Sequence, residues 1–188
     1  MSMKWLFYLL VFFVFSSCVD FNRSKQLDAI DKSIEELRIN RALLKTSLFD
    51  YIPIVLPKIE ALKTRLRAQL KNDTLSLRIA LKIDEFKKIE SDLKNIELAI
   101  PIAEKDIENL KTNFSNLKKD IENSVGQRGD YKKNIAVEIK KKDTLINAIN
   151  RYKENCASSF VTLKVLHIEL SNFTDALELK NKEQNLIP

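Results

Sequence analysis

A chain of 188 residues has room for one modest core, but two glycines and four prolines are too few for a sheet protein with many tight hairpins. Hydrophobic residues at 45% and charged residues at 31% exclude a disordered polar chain, which would be poorer in Ile, Leu and Phe. The formal net charge of +6 admits anionic partners without selecting one.

The amino terminus reads as a secretory leader. Lys4 supplies positive charge, Trp5 to Phe15 form an apolar run of 11 residues, and Ser16-Ser17 give small residues before Cys18. A membrane span takes about 20 apolar residues, and after Val19 the chain turns polar with Asp20, Asn22, Arg23 and Lys25. The expectation is a signal peptide over residues 1–17 that is removed, taking Lys4 with it and leaving +5, then a tether over 18–23. Asn22, Asn72, Asn113 and Asn172 start glycosylation sequons, which in a chain this rich in Asn, Ser and Thr read as chance matches.

The stretch Phe15-Ser16-Ser17-Cys18 resembles the lipobox of bacterial lipoproteins, differing at Phe15, where Leu is commoner. That resemblance implies a diacylglycerol on the Cys18 thiol, cleavage before it, and an acylated new amino terminus. The alternative is an ordinary cysteine beside a general signal-peptidase cut. In the sorting rule that comes with the resemblance, Asp after the cysteine retains the protein at the inner membrane. Here Val19 stands there, which points to the outer membrane, on its surface or its periplasmic face. Two or three buried acyl chains exceed the single chain that binds only marginally.

The mature body is expected to be all-α. An arm over 24–70 carries Leu27, Ile30, Ile34, Leu37, Leu44, Leu48 and Tyr51 at three- and four-residue spacing, broken once by Arg41, and resumes with Ile59, Leu62 and Leu66. A second arm over 75–122 is more regular. Ile79, Phe86, Leu93, Ile100, Ile107, Phe114 and Ile121 fill one seam position; Leu75, Ile89, Ile96, Ala103, Leu110 and Leu117 fill the other, with Lys82 the misfit. A third arm over 131–179 carries Leu145, Ile149, Tyr152, Cys156, Leu163, Leu166, Leu170, Phe173 and Leu177. Each arm would be roughly 70 Å long if straight at 1.5 Å per residue.

Turn and cap residues Lys71 to Thr74 and the segment 123–130, which holds Gly126 and Gly129, join the arms. Short joints imply antiparallel neighbours. The expected architecture is therefore an elongated antiparallel three-helix bundle over 24–179 with coiled-coil-like heptad packing, helices kinked at prolines, and a flexible tail over 180–188. Folding back at Pro53, Pro57, Pro101 or the Asn155 to Ser159 patch would instead give five or six shorter helices.

In an up-down-up order the glycine joint returns to the end that carries Cys18. Residues 128–154 hold eight cations against four carboxylates, making Arg128, Lys132, Lys133, Lys140, Lys141 and Lys142 candidate contacts to an anionic surface, against the plainer reading of a solvated helix face. The lone His167 is read as a seam-edge residue and Cys156 as a small buried hydrophobe, its sharper alternative being an intermolecular disulfide or reactive thiol. The chain has no glycine-rich phosphate loop, no nucleophile elbow and no aromatics interleaved with its basic residues. No catalytic or metal site, cofactor or nucleic-acid partner is expected.

The Lys, Ile and Asn bias behind an acylated cysteine resembles the helical surface lipoproteins of spirochaetes, several of which bind host matrix or serum proteins. It implies a non-enzymatic binding protein with a protein partner, an adhesin or immune-evasion factor. The rival expectation is a periplasmic structural or assembly component that self-associates or pairs through coiled-coil surfaces.

Overall fold

The computed structural model describes residues 3–70, 75–125 and 128–184, with side chains over 22–70, 75–125 and 129–183. These residues form five helices: α1 (Met3–Leu44), α2 (Ser47–Asp50), α3 (Ile52–Gln69), α4 (Leu77–Glu122) and α5 (Arg128–Gln184). Among the described residues there is no strand, as the scarcity of turn formers implies. The Lys71–Thr74 joint, Gly126 and residues 185–188 lie outside the described residues.

The first arm is divided into α1, α2 and α3. Pro53 stands in the first turn of α3, where the N–H it lacks is not needed. The departure from helical geometry comes earlier, at residues 45–46. Thr46 leaves helical geometry at φ −85° and ψ 154°, and its hydroxyl donates to the Leu43 carbonyl at 2.9 Å. Pro57 and Pro101, in contrast, sit inside α3 and α4, which continue through them.

Packing separates the chain into two compact units, the described parts of Met1–Ala42 with Glu104–Asn147 and of Leu43–Ala103 with Ala148–Pro188. In the first unit, α1 runs against α4. Arg23 meets the end of α4 at Glu122, Asp31 meets Lys118 at 2.6 Å, and Arg41 meets Glu108, so partner numbers fall as α1 advances. Tyr131 reaches Asp120 and Asn113 reaches Glu138, which sets α5 antiparallel to α4. The core is Ile30 and Leu37 from α1, Ile107, Leu110, Phe114 and Ile121 from α4, and Tyr131 and Ile135 from α5. Each fully buried aliphatic contributes about 1.5–3 kcal/mol over leaving it wet.

Two polar residues occupy the α1 seam. Ser33 and Asn40 are buried, and each donates back to its own helix, to the Ala29 and Glu36 carbonyls at 2.8 Å. This explains the break at Arg41. Asn40 takes the seam position, while Arg41 turns outward to its ion pair with Glu108.

In the second unit, α3 and α5 run the same way. Leu48 lies by Cys156, Tyr51 meets Phe160 edge to face at 5.4 Å, Arg65 pairs with Asp175 at 2.7 Å, and Gln69 accepts from Asn181. Their core residues include Ile52, Ile59 and Leu66 on α3, Phe86, Leu93 and Ile96 on α4, and Ile149, Cys156, Leu163 and Leu170 on α5. Lys82, the misfit of the second arm, is half-buried and pairs with Glu169 at 2.5 Å. The seam tolerates it because its charge is matched. Tyr51 is exposed despite its place in the heptad, because the break at 45–46 shifts the apolar face to Phe49, Ile52 and Val55. α5 extends to Gln184, past residue 179, and the Asn181 amide helps hold it to the end of α3.

Candidate functional site

At the described end of the joint between α4 and α5, a non-glycine residue takes the left-handed conformation. Ser124 takes φ 56°, its N–H donating to Ile121 at 3.3 Å while Val125 N–H donates to Asp120 at 2.9 Å. These two bonds satisfy carbonyls that the end of a helix leaves open, an arrangement usually completed by glycine. The Tyr131 hydroxyl reaches the Asp120 and Val125 carbonyls, tying the start of α5 to the cap. Gly129 instead lies in the first turn of α5, with nothing within 4 Å of where a Cβ would stand.

Beside this joint the first unit opens into a cavity of about 760 Å³. Its apolar floor comes from Ala29 of α1, Ile121 of α4 and Ile135 of α5, and its cations are Arg23, Lys25 and Lys132. No carboxylate lines it among the described residues. Arg23 donates one Nη2 hydrogen bond to the Glu122 carbonyl at 2.8 Å, and its enclosed Nε has no hydrogen-bond partner. Elsewhere in this unit Lys118 pairs with Asp31 and Lys142 with Glu36.

The sequence-derived cations separate here. The side chains of Cys18 and Arg128 lie outside the described residues. Lys132, Lys133 and Lys140 are exposed on α5, and Lys132 borders the cavity. Lys141 is exposed but pairs with Glu138 at 2.6 Å. Lys142 is not a surface contact: it is buried, its ammonium held by Glu36 and by Asp143 at 3.1 Å. Burial by itself would depress its pKa, and these two carboxylates outweigh that and raise it. A side chain that helps bind α5 to α1 has no free charge to offer a membrane. Arg23, assigned by sequence to the tether, and Lys25, at the start of the first arm, line the cavity; their signal was their place about one and a half and two turns after Cys18 on a helix that had not been expected to start so early.

In the second unit a groove of about 610 Å³ lies between α4 and α5, with Asp92, Asn95, Tyr152, Asn155 and Ser158 along it. The Asn155 to Ser159 patch borders this groove and does not break α5. Cys156 faces inward, its thiol pushed up to about 11 by burial and lying 3.7 Å from the Leu48 carbonyl. At neutral pH it is a thiol and not a nucleophilic thiolate. His167 is half-buried on α5 next to Leu166. Among the described residues no group of His, Cys, Asp and Glu is placed to hold a metal ion, and no helix is long and apolar enough to cross a membrane.

A scan against protein-family models found no match, and searches of curated proteins and of solved structures returned no similar chain.

Proposed function

We propose that this chain is a lipoprotein of a bacterial cell envelope, anchored through Cys18, whose helical body works by binding another macromolecule and not by catalysis. The observation that carries the reading is the order of charge, apolar run and Phe15-Ser16-Ser17-Cys18 at the amino terminus. The basic cavity at the end of the first unit supports it. Cys18 precedes Arg23 by five residues, so an anchor there holds that end about 8 Å from the lipid if the segment is helical and about 18 Å if extended. Within each unit, buried residues at three- and four-residue spacing favour coiled-coil-like packing of long helices. Val19 after the cysteine favours the outer membrane over the inner.

A second reading, an envelope assembly component that pairs through helices, is favoured by one observation. Val161, Val165 and Ile168 are exposed on one stripe of α5 at the spacing of a helix-packing seam.

Protease shaving of intact cells, with a Cys18→Ser strain as control, separates the two. Loss of the mature chain before lysis supports a surface binder facing outward. Protection until lysis overturns that and favours the assembly role.

A further inference from the structure

We infer that the cavity at the end of the first unit binds one anionic phospholipid, its phosphate on Arg23 and Lys132 and the start of its acyl chains over Ala29, Ile121 and Ile135. The inference rests on the membrane-anchored reading for the source of the lipid.

Charge carries the first step. Arg23 and Lys132 border the cavity from α1 and α5, and no described lining residue returns a negative charge. The nearby carboxylates Asp28, Glu122 and Asp130 are exposed and do not line it. Arg23 uses one of its five donors on the Glu122 carbonyl, leaving the guanidinium able to present others to a phosphate. The enclosed Nε of Arg23 has no hydrogen-bond partner, and a buried donor left unpaired costs stability that an incoming anion can offset.

Size and chemistry then choose among anions. A volume of about 760 Å³ falls in the range of small-molecule sites and far exceeds an inorganic phosphate. Ala29, Ile121 and Ile135 give the floor its apolar character, and the Tyr131 hydroxyl, which also lines the cavity, is already engaged with the Asp120 and Val125 carbonyls. A ligand with a charged head and an apolar body satisfies both halves; a free phosphate leaves the floor wet. On the membrane-anchored reading, Arg23 follows the acylated Cys18 by five residues, within reach of lipid headgroups.

The test is native mass spectrometry of the full chain, purified in non-ionic detergent and titrated with phosphatidylglycerol, phosphatidylcholine or inorganic phosphate. One phosphatidylglycerol per chain is expected, retained in preference to phosphatidylcholine and not displaced by phosphate. Lys132→Glu changes an exposed residue that the fold does not need and should weaken retention about tenfold or more. Ala29→Trp, which fills the floor, should abolish lipid retention. Equal retention of both lipids, displacement by phosphate alone, or unchanged binding in Lys132→Glu overturns the inference. The same spectra read the covalent mass at Cys18. An acylated chain with no phospholipid adduct sinks the cavity and spares the anchor, whereas an adduct on an unacylated chain, with Cys18→Ser binding equally well, does the reverse.

Discussion

Glu90 is the most demanding interaction in the second unit to disturb. Its side chain is 7% exposed, with one oxygen 2.5 Å from Lys63 Nζ and the other 2.6 Å from Lys94 Nζ. Replacing it by Gln keeps the shape and removes the charge, leaving the Lys63 ammonium, itself only 13% exposed, with Glu60 as its remaining carboxylate. Removing one partner of a buried pair costs about 3–5 kcal/mol. Lys63 retains Glu60 at 2.9 Å, and Lys94 is exposed enough to turn to water, so the loss should be nearer ~2–3 kcal/mol. Urea unfolding followed by far-ultraviolet circular dichroism reads this directly. With a slope of about 2 kcal/mol per molar urea, the midpoint of Glu90→Gln should fall by about 1–1.5 M at unchanged slope. Lys63→Met with Glu90→Leu should recover most of it, because neither charge is then left unpaired. A fall below ~0.25 M, or a double variant less stable than Glu90→Gln, would refute the reasoning.

The same residue contributes to the acid limb of stability. Desolvation opposes ionisation of Glu90, and Lys63 and Lys94 outweigh it, so its folded pKa lies below the ordinary 4.5. Its contribution is then full above about pH 4.5 and lost as pH falls through the folded value, so the midpoints of the native chain and Glu90→Gln should converge in acid. Ser124→Gly relieves a left-handed residue and should stabilise by ~1 kcal/mol, seen as a higher thermal midpoint. Pro101→Ala restores a backbone hydrogen bond inside α4 at an exposed position; a gain of ~1–3 kcal/mol is expected, and a loss would mean that α4 needs the proline's geometry. Cys156 should resist alkylation at pH 7.5 in the folded chain and react on unfolding in urea, as followed by mass.

Much of the helical body was legible because burial follows spacing. The seam positions of the second arm proved buried or half-buried from Ile79 to Ile121. What the spacing does not encode is which charges meet across helices. Lys82 looked like a defect and Lys142 like part of a wet patch, and both are matched by carboxylates on distant segments, Glu169 and Glu36. Buried Ser33 and Asn40 were missed for a related reason, since each satisfies itself through a carbonyl four residues back and needs no partner helix. The α4–α5 joint was located by its glycines, yet among its described residues Ser124 takes the left-handed conformation; the cap bonds to the Asp120 and Ile121 carbonyls override residue preference there. The cavity was illegible because Arg23, Ala29, Ile121 and Lys132 become neighbours only after the helices pair.

The central claim, an acyl anchor at Cys18, is tested most directly by growing cells with labelled palmitate and measuring the intact mass of the purified chain. The account requires label in the native chain, a mature protein beginning at Cys18 with two or three acyl groups, and no label in Cys18→Ser. A mature chain that begins elsewhere, or label that survives Cys18→Ser, would contradict it.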